Sequence, residues 1–146
     1  MKTVLICFLL FAATTYAQNF SLPTEIGQGF KFKDYSHPQF YMVKTSVSPT
    51  MEFGIIRTSA IVMTAFSDGY TYLFAGAGVS GEVFRSKSLG VNAGLTALPG
   101  SEGRALYGVV VKLEHSSNLY ISLNARREVK YSELWFDGSV GINLFK

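Results

Sequence analysis

Apolar and polar residues alternate strictly along most of the chain after residue 18. Residues 88–98 show the pattern most clearly, because one face carries an unbroken apolar series: Leu89, Val91, Ala93, Leu95 and Ala97. The same alternation recurs in residues 70–84, 104–114, 119–128 and 134–144. A period of two residues is typical of a β-strand whose two faces meet different surroundings, so the pattern predicts an all-β protein.

Less regular alternation predicts further strands upstream: one over residues 39–48, one long strand over residues 51–66, and a fainter one within residues 26–34. Short turn-forming segments separate the strands, at residues 48–50, 67–69, 85–87, 99–103, 115–118 and 129–132. Connections this short join antiparallel neighbours, since a parallel crossover needs about a dozen residues or more. We therefore predict an up-and-down meander that closes into a barrel of about eight strands, because an open meander would leave two exposed edges.

The two faces of the predicted barrel differ in residue size. The polar face carries serine, threonine, asparagine and many of the glycines: Gly76, Gly78, Gly90, Gly94, Gly108 and Gly141. Small residues suit the inside of a narrow barrel, and an apolar face with hardly a charge suits an outer surface that meets lipid. We predict a transmembrane-type barrel with aromatic girdles formed by Tyr70, Tyr72, Tyr107, Tyr131, Trp135 and Phe145. The alternative is a soluble lipocalin-like barrel that binds a small apolar ligand.

The first 17 residues have the order of a secretory signal peptide. Lys2 supplies a positive charge, residues 3–13 are uncharged and apolar, and small residues stand at Thr15 and Ala17 before the cleavage point. The apolar run is shorter than the ~20 residues of a membrane-spanning helix. We expect cleavage after Ala17, which leaves one barrel domain of residues 18–146 and removes Cys7, the single cysteine.

Composition narrows the set of partners. The chain has 146 residues, enough for one domain, and its net charge of +3 is scattered along the sequence. Such a distribution is a poor footprint for nucleic acid, so we predict no nucleic-acid partner. His, Cys, Asp and Glu residues lack metal-ligand spacing, and the glycine-rich residues 76–81 precede a strand, where a dinucleotide site needs a helix. We predict neither a metal nor a cofactor.

Charged residues on the polar faces form the first set of candidate site residues. They are Glu82, Arg104, Lys112, Glu114, Arg126, Glu128 and Asp137. Inside a narrow barrel such charges must pair, because an isolated buried charge is costly. We predict a lumen charge network that closes the pore; a permeation or ligand site is the alternative.

The chain resembles the small outer-membrane β-barrel proteins of Gram-negative bacteria. The signal peptide, the repeated alternating segments of ~10 residues and the apolar final strand ending in Gly141-Ile142-Asn143-Leu144-Phe145-Lys146 carry the resemblance. The aromatic residue that usually ends such chains is here the penultimate Phe145. The resemblance implies location in the outer membrane, membrane lipid as a partner, and a structural or interaction role; protein partners stay open.

A second, local resemblance concerns His115-Ser116-Ser117-Asn118, which is similar to the His-x-Ser-Asn element of outer-membrane lipid A deacylases. It implies His115 as the base and Ser117 as the nucleophile, with Glu128 as the acid that orients the imidazole. The tetrapeptide is also an ordinary hairpin turn in composition. We favour a non-enzymatic protein, and expect the His115 and Ser117 side chains to diverge and Glu128 to point into the lumen toward Arg104 or Arg126.

Overall fold

A computed structural model of the chain describes residues 19–33, 37–67 and 69–145. The predicted signal peptide, residues 1–17, lies outside the described residues. Within the described part of the chain, no helix is long and apolar enough to cross a bilayer.

Eight antiparallel strands form one closed sheet. Strand β1 consists of Asn19–Ser21 and Pro23–Lys33, and β2 consists of His37–Val47 and Thr50–Phe53. The remaining strands are β3 (Ile56–Ser67), β4 (Tyr70–Arg85), β5 (Leu89–Pro99), β6 (Ala105–His115), β7 (Leu119–Glu128) and β8 (Leu134–Asn143). A 3-10 turn, Ser101–Gly103, lies between β5 and β6.

Strand β8 pairs with both β7 and β1, and this second pairing closes the barrel. Gly138 lies opposite Gln28 in that closing seam. The predicted all-β, up-and-down, transmembrane-type barrel is thereby confirmed. We call the end that holds Asn19 and Asn143 the lower end, and the end that holds the β7–β8 turn the upper end.

The long strand predicted over residues 51–66 is wrong, because the chain reverses within it. Gly54 and Ile55 form a tight turn, and Phe53 pairs with Ile56 across it. Gly54 has a φ of +63°, a left-handed conformation that glycine adopts without steric cost. Apolar residues flank the turn on both sides, so the alternation runs through it without a visible break.

The turn predicted at residues 48–50 is wrong for the opposite reason. Strand β2 continues past Pro49, since Val47 pairs with Val62 of β3 and Thr50 pairs with Ser59 of the same strand. The Pro49 carbonyl still accepts a hydrogen bond of 3.0 Å from the Ala60 amide. Proline lacks an N–H group, so it removes one donor from the ladder here without reversing the chain.

The outward positions of the strands are apolar and exposed. Leu95 is 61% exposed and Val109 is 49% exposed, whereas their inward neighbour Thr96 is only 7% exposed. Among the described strand positions with outward parity, Arg127 alone carries a formal charge when histidine is counted as neutral. The barrel is therefore apolar outside, as the alternation predicts, and many of its inward side chains are polar or charged.

Inward glycines let neighbouring strands approach closely. A Cβ atom at Gly76 would overlap the carbonyl oxygen of Ala97, and one at Gly108 would overlap that of Ala125. At Gly141 the obstacle is the ring of Tyr120, which covers the glycine. Glycine at such positions allows the strong local bending that a narrow barrel requires.

Replacement of Leu95 or Val109 by arginine should destabilise the barrel in a lipid bilayer by ~2–4 kcal/mol, because each change places a charge on the lipid-facing surface. Denaturant unfolding of the protein in lipid vesicles measures the loss. The matched control is Thr96→Ser, which alters the inward neighbour of Leu95 and should be almost silent. Normal insertion and stability of both arginine variants would show that the faces are assigned the wrong way round.

Candidate functional site: the polar interior

An apolar cluster fills the upper end of the barrel. It comprises Met63, Ala65, Tyr72, Phe74, Leu98, Leu106 and Trp135. The rings of Phe74 and Trp135 meet edge to face, with centroids 6.0 Å apart. Contacts of this kind fill space tightly, so the cluster closes the lumen above the polar residues described below.

Two of the aromatic residues predicted as interfacial girdle belong to this cluster instead. Tyr72 is 7% exposed and Trp135 is 1% exposed, because both have the inward parity of their strands. The Trp135 indole donates a hydrogen bond of 3.0 Å to the Glu133 carboxylate, which satisfies its buried N–H. Tyr70, Tyr107, Tyr131 and Phe145 are exposed, as a girdle requires.

Arg104 and Glu128 lie at the upper end, above the apolar cluster. The guanidinium carbon of Arg104 is 4.1 Å from the ring centroid of Tyr72 and 4.6 Å from that of Tyr131. The Glu128 carboxylate accepts hydrogen bonds from the backbone amides of Lys130 (3.1 Å) and Tyr131 (2.7 Å). Glu128 thus stabilises the β7–β8 turn through its backbone.

A denser network crosses the middle of the barrel, centred on Asp137. Its carboxylate accepts hydrogen bonds from Lys44 (2.6 Å), Arg126 (2.6 Å) and Asn124 (2.7 Å). Lys44 also donates to Glu25 at 2.8 Å. Because all these groups are buried, each charge depends on its partners to offset the loss of hydration.

Charges toward the lower end pair separately. Arg57 lies 2.5 Å from Glu114 and 3.0 Å from Glu52, and Glu82 pairs with Arg85. The seven residues predicted for the lumen network therefore divide among the upper-end, central and lower-end groups. Lys112, which belongs to the same predicted set, lies over the ring of Tyr120 at 5.0 Å from the centroid.

Sequence reasoning missed three interior partners: Glu25 and Lys44 of the central network, and Arg57 of the lower-end group. Glu25 and Arg57 lie close to strand boundaries that the alternation placed incorrectly, so their parity could not be assigned. Lys44 lies inside a predicted strand. Its parity is opposite to that of its neighbours Val43 and Thr45, and this could have indicated that Lys44 points into the barrel. The inward parity of Lys44 places its ammonium between the Glu25 and Asp137 carboxylates.

A small cavity of about 30 Å³ lies below the apolar cluster. Thr96, Lys112, Asn124 and Arg126 contribute to its wall. This volume has room for a water-sized species and is far below the ~300 Å³ at which ordinary ligand pockets begin. In the described part of the chain, no cluster of His, Cys, Asp and Glu could hold a metal ion.

The His115 and Ser117 side chains meet, which corrects the expectation that they diverge. The Ser117 hydroxyl lies 2.8 Å from Nδ1 of His115, and the Ser117 backbone amide donates to the same nitrogen at 3.2 Å. The side chain of His115 thus binds both groups of Ser117, as local turn hydrogen bonds do. Glu128 lies at the other end of β7, so the orienting acid of the lipid A deacylase resemblance is not brought to this pair.

Comparison with known proteins supports the architecture. No family model and no curated protein matches the chain. The crystal structure of Neisserial surface protein A aligns with a TM-score of 0.59 at 12% identity, over 88% of this chain and 99% of that one. The chain has the fold of the small outer-membrane β-barrels.

Two further structures share this barrel. Ail, the attachment invasion locus protein of Yersinia pestis, aligns with a TM-score of 0.57 at 11% identity, over 85% of this chain and 95% of Ail. A transmembrane β-barrel designed de novo aligns with a TM-score of 0.50 at 12% identity, over the same shares of the two chains. At these identities the likeness concerns the fold alone.

Replacement of Asp137 by asparagine should lower the free energy of unfolding by about 3–5 kcal/mol, because it leaves Lys44 and Arg126 buried with too little negative charge. Urea unfolding in lipid vesicles measures the change. Glu102→Gln makes the same carboxylate-to-amide substitution on an exposed turn and should leave stability unchanged. A loss below about 1 kcal/mol in Asp137→Asn, as at an exposed pair, would contradict the structural role of the network.

The Ser117→Ala variant should behave like the parent protein toward lipid A. We expect equal acyl release from both in detergent micelles, at the level of a protein-free blank, because the pair lacks an orienting carboxylate. Chromatography of released fatty acids is the measurement. Release by the parent protein that disappears in Ser117→Ala would establish the hydrolase alternative.

Proposed function

We propose that this protein is a non-enzymatic outer-membrane barrel with a structural or interaction role and a closed lumen. A signal peptide of residues 1–17 directs its export in this proposal. The observation that carries it is a distribution of residues opposite to that of a soluble protein: the ion pairs are inside, and the apolar side chains cover the outer wall.

Lipid is the partner that suits the outer wall. Large apolar side chains are exposed on every strand of the barrel, among them Ile26, Val47, Val62, Leu73, Leu95, Val109, Ile121 and Val140. A soluble protein rarely exposes an apolar surface that encircles it. The closed ladder pairs the backbone groups of the strands, which a structure inside hydrocarbon requires.

The interior supports a structural role rather than transport. The apolar cluster lies across the upper end, and the Asp137 network crosses the middle. A barrel of about eight strands is just wide enough for its own side chains. We therefore propose that the lumen conducts neither ions nor small solutes.

The other two candidate functions find less support. A lipocalin-like carrier needs an apolar interior cavity, whereas the cavity below the apolar cluster is small and partly lined by Lys112 and Arg126. A lipid A hydrolase needs a positioned acid beside His115, whereas Glu128 binds the amides of the β7–β8 turn. Short turns at the described hairpins also give little surface for selective recognition.

The mature protein should separate with the outer-membrane fraction and need detergent for solubility. In SDS without heating it should migrate as a folded species and shift after boiling, because a closed barrel opens slowly. Planar bilayers that contain it should show the baseline conductance of protein-free bilayers. Recovery as a soluble monomer without detergent would overturn the membrane proposal, and a steady conductance would overturn the closed lumen alone.

A further inference from the structure

The closing seam carries two unusual residues side by side on the outer wall. Gln28 of β1 and Gly138 of β8 lie directly opposite each other in the register, and both are exposed on the outward face. We infer that this patch is the contact surface for a second copy of the same chain, in a symmetric dimer within the bilayer. The inference rests on the proposed membrane location, because in water an exposed amide needs no protein partner.

Gln28 is a polar side chain without a partner on an apolar wall. Among the described strand positions of outward parity, it alone carries an amide. Its amide forms no hydrogen bond with any described residue, whereas the outward Thr24 hydroxyl donates to the Ile142 carbonyl oxygen at 3.3 Å. Gln28 lies near the middle of Pro23–Lys33, away from the wet ends of the barrel. An amide in hydrocarbon is costly unless another group supplies its hydrogen bonds.

Gly138 is a glycine that the packing of a single barrel does not require. A Cβ atom there would meet only the Leu123 side chain, at 3.6 Å, which is an ordinary contact. Inward glycines differ, since a Cβ atom at Gly94 would overlap the carbonyl oxygen of Val79. Glycine in a strand interior weakens the strand. The fold of one copy therefore does not account for glycine at this position.

The absent side chain leaves a shallow depression in the outer wall. Phe136 and Val140 flank Gly138 along β8, Leu123 lies opposite it on β7, and Gln28 lies opposite it on β1. All four side chains are exposed and surround the glycine. A depression beside a protruding side chain is a combination that can be complementary to a copy of itself, as a two-fold interface requires.

A two-fold axis along the membrane normal brings these shapes together. Two copies inserted in the same direction are related by such an axis. If the axis passes between Gln28 and Gly138, Gln28 of each copy lies next to Gly138 of the other. The two amides then lie near each other, and each can donate to the carbonyl oxygen of the other.

A second copy suits both features of the patch, whereas lipid suits only one. An acyl chain can fill the depression at Gly138, but it offers no hydrogen-bonding group to the Gln28 amide. Within a bilayer, close packing at small residues and hydrogen bonds between polar side chains are the interactions that associate membrane-spanning segments. The patch provides both.

Cross-linking tests the position of the interface. Residues 18–146 contain no cysteine, so one introduced on the wall is unique in the mature protein. Ile26→Cys, beside Gln28 on β1, should give a cross-linked dimer in lipid vesicles with a short bifunctional thiol reagent. The matched control is Leu95→Cys on β5, because Leu95 is 61% exposed and Ile26 is 60% exposed. The control should stay monomeric.

Variants test the amide and the depression separately. Energy transfer between labelled copies, followed as lipid is added, measures the dissociation constant of the dimer. Gln28→Leu should raise this constant about tenfold, as loss of hydrogen bonds between membrane segments predicts. Gly138→Leu should also raise it, because the new side chain fills the depression. Thr58→Val, which removes a polar group elsewhere on the outer wall, should leave it unchanged.

The readouts separate the dimer from the membrane proposal. A shift of migration on boiling in SDS shows that each variant is a closed barrel. If Gly138→Leu does not close, Gln28→Leu carries the test. A monomer at every protein-to-lipid ratio, as expected if acyl chains cover the patch, would overturn the dimer and leave the membrane proposal intact. Equal cross-linking at both cysteine positions, or an unchanged dissociation constant in Gln28→Leu or in a closed Gly138→Leu barrel, would also overturn it.

Discussion

The pairing of β1 with β8 is the constraint on which the rest of the structure depends. These strands come from opposite ends of the described chain, and their register runs from Pro23 opposite Asn143 to Phe32 opposite Leu134. Without this seam, both strands would present unpaired backbone groups at an open edge. The central ion network lies across the same seam, since Lys44 of β2 reaches Asp137 of β8. Side chains and backbone therefore hold the closure together at one place.

The interior combines two ways of filling a narrow cylinder. At the upper end, apolar side chains pack against one another and exclude polar groups. Below them, glycines admit neighbouring strands, and long charged side chains occupy the space that remains. The lower part of the lumen is costly to desolvate unless every charge has a partner, whereas the upper part is stabilised by burial itself. Loss of a charged partner should therefore destabilise the lower part of the lumen, whereas loss of apolar volume should destabilise the upper part.

Alternation predicted the fold well, because strand parity is a local property. The downstream strands, the barrel closure and the inward positions of Gly76, Gly94, Gly108 and Gly141 all followed from it. Errors arose where local signals conflict. The turn at Gly54 lies within an apolar run, so the alternation shows no break there. Pro49 is a residue type common in turns, but here it lies within a strand and removes only one hydrogen-bond donor from the ladder. Parity also assigns Tyr72 and Trp135 to the interior, although their residue type suggests an interface.

The candidate site was harder to predict than the fold. Parity indicates that a charge points inward, but not which charge it meets, since the Lys44–Asp137 contact joins residues 93 positions apart. The convergence of His115 and Ser117 depends on one turn's dihedral angles, which include a φ of +66° at Asn118. Such details follow from the assembled geometry of strands and turns.

The position of the closing seam also governs the order of folding. No other described pairing can complete the sheet, so the barrel cannot close before β8, the last strand, is available. Contacts between distant chain segments cost loop-closure entropy before they give any stabilisation, which makes such folds slow to form. A chain that is still emerging therefore lacks both its seam and its central ion pairs. Until β8 is present, β1 and β7 each keep one edge of unpaired backbone groups, and Lys44 lacks the Asp137 carboxylate.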